Sequence, residues 1–444
     1  MRNMEATRPI LRAQTPEISK EDNLAKSVPG FSNDIVVQTR SSSSVSMLDR
    51  IDPMHDMSWS QGINMKWDAI SVKEDTLIAN GAGILVPSRE AVFAPITQTH
   101  EVLYDPISLR LVSMIFQWHQ LTTAQVASIL DVPFSKADSR LNLLYSAGIL
   151  IKSDPVLNLR SASRREDLPH YGAGHVWQLN RKGIKGLTQS NRGVGQIAAW
   201  QDGIDNPIEW LLATAGGDLT RGSNASNHPT AIRHNLFCAE LALRAMESCP
   251  SIIGAWGEQV SEAKRIIASD LEDVRSNVAD IILVQSNGDL VVVEASGAGS
   301  IDTEERRRVF SRKVSSWALV SERADFNIKF VFVNFSDTAT REKFSEIVSL
   351  GADAVDTLYT GGKRARLAKE SIHVVDAHDW FPLAQSISAG FPRMYAWNVM
   401  SESHVPLLEE SSVGKGNVEA DIAVNTLASF HTPDWIINDV MEVD

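Results

Sequence analysis

Two carboxylates in the stretch VADIILVQSNGDLVVVEASG, residues 278 to 297, are placed where chemistry is feasible. Asp280 stands near the start of one apolar run and Glu294 near the end of the next, and Asn287-Gly288 between them is the dipeptide preferred in a tight two-residue hairpin turn. A turn centred there pairs residues whose numbers sum to about 575, so Glu294 falls within one step of Asp280. Two acids on one face of a hairpin can bridge a divalent ion, which orients a water and neutralises charge on a phosphodiester. Glu258 on the preceding strand and Glu240 on the opening helix are candidate third oxygen ligands. The metal set is then Asp280, Glu294 and Glu258 with Mg²⁺ or Mn²⁺. The alternative is two solvated acids at the ends of an ordinary hairpin.

The elements that must hold these acids follow from the periodicity. AIRHNLFCAELALRAMES is an amphipathic helix with Leu236, Ala239, Leu243 and Met246 on one face. IIGAWGEQV is a strand, the hairpin supplies two more, DTEERRRVFSRKVSSWALVSER is a long charged helix, and IKFVFVNF is a further strand. ATREKFSEIVSLG and SIHVVDA add one more helix and strand, giving α-β-β-β-α-β-α-β over residues 230 to 395. Four or five strands with helices between the later ones predict a mixed sheet covered by helices. His234 near the start of the first helix either approaches the acids or is simply a helix-start histidine.

Upstream, residues 105 to 195 predict three helices and two strands. Thr122 suits the N-cap of TAQVASIL, Gly148 ends a third helix from about Ser135, and Leu141, Leu144 and Tyr145 face inward. Lys136, Ser139 and Arg140 then point outward. Helix, helix-turn-helix, strand, basic loop, strand is the order of a winged helix-turn-helix, whose third helix enters a major groove while basic residues of the wing touch phosphates. Arg164, Arg165, Arg181 and Lys182 are the wing and post-wing candidates. Such modules also bind protein.

Charge is segregated along the chain. The net charge is −13, against indiscriminate coating of nucleic acid. From Tyr104 to Gly195, however, eleven Lys or Arg face six acids, whereas from Ser401 onward nine acids face Lys415 alone. The acidic tail, residues 401 to 444, either competes with phosphate for the basic unit, offers protein partners a surface, or keeps the protein soluble. Residues 1 to 100 read as a largely disordered or extended arm, rich in Ser and Pro up to about residue 60, and residues 196 to 229 as a linker. No run reaches the roughly 18 to 20 apolar residues of a membrane helix, and the first residues lack a signal-like apolar core, so a cytoplasmic protein is expected. Cys238 and Cys249 have no Cys/His zinc spacing around them and read as reduced, partly buried thiols. A homodimer is left open.

The α-β-β-β-α-β order with an acid on each hairpin strand is similar to the PD-(D/E)XK nuclease superfamily. A winged helix followed by RHNLFCAELALRAM, VADIILV, LVVVEASG and RRRVFSRKVSSWAL more closely resembles the replication-relaxation family of plasmid and mobile-element proteins, over roughly residues 105 to 335. The resemblance implies double-stranded DNA as partner, a role in replication, maintenance or transfer of a mobile element, and a restriction-endonuclease-like domain whose catalysis is not assured. The nuclease motif expects lysine two residues after the second acid, where this chain has Ser296. Lys313 or Arg312 on the following helix is the candidate replacement, making Asp280, Glu294 and Lys313 the catalytic set. Arg306, Arg307 and Arg308 on that helix either follow a phosphate backbone or form a solvated face.

Overall fold

The computed structural model describes residues 35–36, 50, 52–55, 63–68, 77–79, 85–87, 106–130, 132–157, 174–181, 229–261, 278–296, 303–323, 327–335, 341–358 and 363–408. It is a mixed α/β protein. The arm's other residues, the linker up to residue 228, Arg164, Arg165, Lys182 and the tail from residue 409 lie outside the described residues.

The first unit begins with β1 (Ile63–Asp68) and α1 (Pro106–Trp118), followed by β2 (Leu121–Thr122), α2 (Thr123–Leu130) and α3 (Phe134–Ser146). Then come β3 (Leu150–Leu157) and β4 (Val176–Leu179). The α2 start is set by a reciprocal cap: the Thr122 hydroxyl accepts from the Gln125 N–H at 3.1 Å, and the Gln125 side-chain oxygen accepts from the Thr122 N–H at 3.0 Å. Helix α3 ends at Gly148, whose φ of +73° suits glycine best. Leu141 and Leu144 are buried, while Ser139 is exposed and Lys136 and Arg140 are half-buried on the outer side. The strands form an antiparallel sheet in the order β1-β3-β4-β2, so residues 63 to 68 of the expected arm are ladder-paired to β3.

The second unit opens with α4 (Pro229–Ser248) and β5 (Ile252–Gly257), then β6 (Ile281–Gln285) and β7 (Leu290–Ser296). Helix α5 (Glu304–Arg323) leads to β8 (Ile328–Asn334), and α6 (Arg341–Leu358) and α7 (Lys363–Glu370) lead to β9 (Ile372–Asp376). Two last strands, β10 (Tyr395–Asn398) and β11 (Ser403–Pro406), complete a seven-stranded sheet in the order β11-β10-β9-β8-β7-β6-β5. Pairing is parallel for β7 with β8 and β8 with β9, and antiparallel elsewhere.

The central strands are apolar on both faces because helices cover them; every residue of β6 and β7 is buried. On one face Phe310, Val314 and Trp317 of α5, spaced by four and three residues, pack toward the sheet, with the Trp317 ring 5.2 Å from Phe330 and Phe310 5.5 Å from Phe332. Side chains of this size each contribute about 1.5–3 kcal/mol by leaving water. Helix α6 crosses close to α5 at Gly351, where an added Cβ would lie 2.6 Å from Val314 and 2.8 Å from the Ser311 carbonyl.

Three expectations need correction. The sheet has seven strands instead of four or five, because β10 and β11 add to its edge beyond β9, and β11, residues 403 to 406, belongs to this domain instead of the tail. Their alternation is short and interrupted by the turns at Gln385, Met394 and Glu402, all with positive φ, which hides the strand period. Second, part of the expected arm is core. Arg50, Asp52 and Met54 are buried, and Arg50 donates to Glu240 at 3.1 and 3.2 Å and to Glu247 at 2.6 and 2.8 Å. Third, β5 stops at Gly257, so Glu258 opens a short 3-10 turn, Glu258–Val260, instead of lying on the strand.

The two units share one continuous apolar core. Polar side chains stitch the junction: Asn235 donates to Gln120 at 2.8 Å, Gln120 to Gln178 at 2.8 Å, and Gln125 to the Leu236 carbonyl at 3.1 Å. At Gly257 an added Cβ would lie 2.6 Å from the Gln117 carbonyl oxygen, so β5 and the end of α1 are in backbone contact there.

Candidate functional site

The hairpin register is one step off the expected value. Leu290 pairs with Val284 and Val293 with Ile281, a sum of 574, so continuing the ladder sets Glu294 directly opposite Asp280. Directly opposed residues of an antiparallel pair share a face. The turn is one residue longer than the expected two-residue Asn287-Gly288 turn: Gln285 pairs with Asp289 around a three-residue loop, the Gly288 N–H donates to the Gln285 carbonyl at 3.0 Å, Gly288 takes φ +90°, and the Asn287 side chain accepts from the Asp289 N–H at 3.0 Å.

Position 296 is Ser, and the cation that reaches Glu294 comes from α5. Lys313 Nζ donates to Glu294 Oε2 at 2.5 Å, and Trp317 Nε1, one helical turn on, donates to Glu294 Oε1 at 2.6 Å. The spacing of four residues on α5 thus delivers both donors to one carboxylate. Asp280 Oδ2 accepts from the Ala295 N–H at 2.7 Å and lies 3.4 Å from His234 Nε2. His234 Nε2 is also 3.2 Å from the Ala295 carbonyl oxygen. Asp280, Glu294, Lys313 and His234 therefore come together, across 80 residues of chain from 234 to 313.

The two acids are electrically unequal. Burial works to raise the Asp280 carboxyl, but His234, Lys313 and the Ala295 N–H hold it down at about 2. Burial pushes the Glu294 carboxyl up to about 8, aided by the Asp280 charge and opposed by Lys313. Lys313 is held above its ordinary value by Glu294 and Asp280 despite burial. Burial disfavours a charged His234, yet Cys238 and Asp280 hold its pKa well above the ordinary value. Burial pushes the Cys238 thiol up to about 11, opposed by His234.

The proposed extra ligands fare differently. Glu240 is not at the site: it is 2% exposed and fully engaged by Arg50, by Arg244 at 3.0 Å and by Gln125 at 3.4 Å. Glu258 is near enough to act electrostatically on Lys313 and Cys238, but its carboxylate is 3.2 Å from His119 Nε2. Arg312 is exposed and lines a surface groove of about 640 Å³ with Arg307, Arg308 and Lys343, away from Glu294's two partners. Of the wing candidates, Arg181 is described and exposed.

Sequence reasoning missed one group. Cys238 Sγ lies 3.8 Å from His234 Nε2, and with Asp280 these side chains form a cluster whose ligand atoms all lie within 4.8 Å of one another. His and Cys four apart on a helix carry no zinc-finger spacing, and Asp280 is remote in sequence; the fold alone assembles the three. Among the described residues no helix is long and apolar enough to cross a membrane. Comparison with family models, curated proteins and solved structures finds no match.

Proposed function

We propose that the chain is a DNA-binding protein of a plasmid, phage or other mobile element, in which a winged helix-turn-helix recruits the duplex and a nuclease-like domain lies beside it. The observation that carries this reading is the meeting of Asp280, Glu294 and Lys313, three residue types of a phosphodiesterase site, on an α-β-β-β-α-β frame whose third and fourth strands are parallel. The helical unit supports it with an exposed Ser139 flanked by half-buried Lys136 and Arg140 on α3, and with Arg181 just past β4. A basic helix face beside an antiparallel hairpin suits a groove and its flanking phosphates.

The test is a gel shift with plasmid and linear duplex across a salt series. Binding should weaken steeply with salt, and Lys136→Ala with Arg140→Ala should lower affinity and flatten the salt slope by about one unit for each lost phosphate contact. A duplex that fails to bind at low salt, or binding indifferent to salt, overturns the reading in favour of a protein-assembly factor.

A second reading, an active endonuclease using Mg²⁺ or Mn²⁺, is favoured by Lys313 replacing the motif lysine. Against it stands Glu294, whose two oxygens are already taken by Lys313 and Trp317. The same incubations with Mn²⁺ decide: cleavage lost in Asp280→Ala and in Glu294→Ala supports the enzyme, and intact DNA in the wild type refutes it.

A further inference from the structure

We propose that His234, Cys238 and Asp280 form a site for a borderline-soft divalent ion, Zn²⁺, with one coordination position left for solvent. The inference stands whether or not the chain acts on DNA.

The argument is geometric. Zn²⁺ bonds imidazole nitrogen and carboxylate oxygen at about 2.0–2.2 Å and thiolate sulfur at about 2.3 Å, so tetrahedral ligands are separated by roughly 3.3–3.6 Å. His234 Nε2 and Asp280 Oδ2 are 3.4 Å apart, and Cys238 Sγ and His234 Nε2 are 3.8 Å apart. The third separation stays within 4.8 Å, so an ion needs a shift on the order of an ångström at one ligand. The supporting elements are rigid. His234 and Cys238 are one turn apart on α4, and Asp280 is tied to β7 by the Ala295 N–H at 2.7 Å. That bond is the outer-sphere support that fixes a ligating carboxylate.

A covalent role for Cys238 fits less well. A histidine that activates a nucleophile presents one ring nitrogen to the nucleophile and the other to the acid. Here Nε2 meets Asp280 at 3.4 Å and Nδ1 lies 3.3 Å from the Asn235 side-chain oxygen, while Cys238 Sγ stands 3.8 Å from Nε2 and 4.0 Å from Nδ1, so neither nitrogen is aimed at the sulfur alone. Three ligand atoms from different side chains, all within 4.8 Å of one another, suit coordination. The solvent side is open, since the side chains of His234 and Asp280 are 24% and 12% exposed while Cys238 is buried. Sulfur with imidazole selects Zn²⁺ over Mg²⁺, which prefers oxygen alone. Entry of Zn²⁺ displaces the thiol proton and the imidazolium proton to solvent as the Zn–S and Zn–N bonds form.

The experiment uses the full chain, stripped with a chelator and titrated with Co²⁺ as a spectroscopic stand-in for Zn²⁺. Expected are one equivalent bound, the near-ultraviolet band of thiolate bound to cobalt, the intense visible bands of four-coordinate cobalt, and displacement of all of them by Zn²⁺. Cys238→Ser should remove the thiolate band, and His234→Gln should weaken binding at least tenfold. Cys249→Ser should keep the spectrum, because Cys249 is a buried thiol donating to the Phe391 carbonyl at 3.4 Å. Circular dichroism checks that each variant folds. A wild type with no thiolate band, or a Cys238→Ser protein with an unchanged one, overturns the proposal. If Cys238→Ser does not fold, His234→Gln decides, and undiminished cobalt affinity in it overturns the proposal equally.

Discussion

His373 offers a quantitative test of how β10 is held to the sheet. The imidazole is 1% exposed on β9, where it pairs with Asn398 of β10. Its Nδ1–H donates to the Ser371 carbonyl at 3.0 Å, and its Nε2 accepts from the Asn398 amide nitrogen at 3.1 Å. Asn398 continues the chain by donating to the Glu370 carbonyl at 2.8 Å. A second ring proton would meet the Asn398 donor head-on. Burial, with Lys329 adding, therefore lowers the His373 pKa from 6.5 to about 4. A depressed pKa in the fold means that the contribution is complete above pH 6.5 and is lost as pH falls through about 4. At 1.36 kcal/mol per unit, that window is worth about 3 kcal/mol. The comparison is between wild type and His373→Asn, which keeps a donor near Nδ1 but does not titrate, in urea melts at pH 7 and pH 4. The stability gap at pH 7 should shrink by about 3 kcal/mol at pH 4. An imidazole that titrates near 6.5 by NMR, or a gap constant across the two pH values, would refute the argument.

Three further perturbations address the junction and the buried charges. Glu240→Gln leaves Arg50 and Arg244 short of a buried partner and should destabilise the protein by about 3–5 kcal/mol, read as a fall in urea midpoint; a change under about 0.5 kcal/mol would mean the network is wet or rearranged. Gly257→Ala puts a methyl against the Gln117 carbonyl oxygen and should cost about 1–3 kcal/mol, with hydrogen exchange rising on both sides of the contact; exchange rising on one side alone would show that the units separate freely. Gly351→Ala meets Val314 and should loosen the packing of α5 on α6, seen as a lower melting temperature with Lys313 and Glu294 still bonded.

How much of this was legible in the sequence depends on how local each signal is. The hairpin was, because Asn287-Gly288 marks where the chain reverses; its register came out one step off because the loop also takes in Ser286, giving the observed sum of 574. The cap at Thr122 and the stop at Gly148 were legible for the same reason: each is a one-residue backbone requirement. Lys313 stood beside Arg312 as a candidate for the absent lysine, and only the helix's orientation decides that Lys313 reaches Glu294. Arg50 was not, since a lone arginine in a polar stretch looks solvated until Glu240 and Glu247 close on it from 190 and 197 residues away. Glu240 was misassigned for the complementary reason: its helix was correct, but the direction of one side chain decides whether a carboxylate serves a site or neutralises two guanidiniums. Cys238 with His234 required both a helix turn and a distant strand to be seen at once.

Among the described residues, backbone contact at Gly257 and the relay from Asn235 through Gln120 to Gln178 tie the helical unit to the sheet. Under the proposed reading, a duplex resting on the outer side of α3 is held at a set distance from Glu294, and insertion or deletion at that seam would change the span without altering either surface.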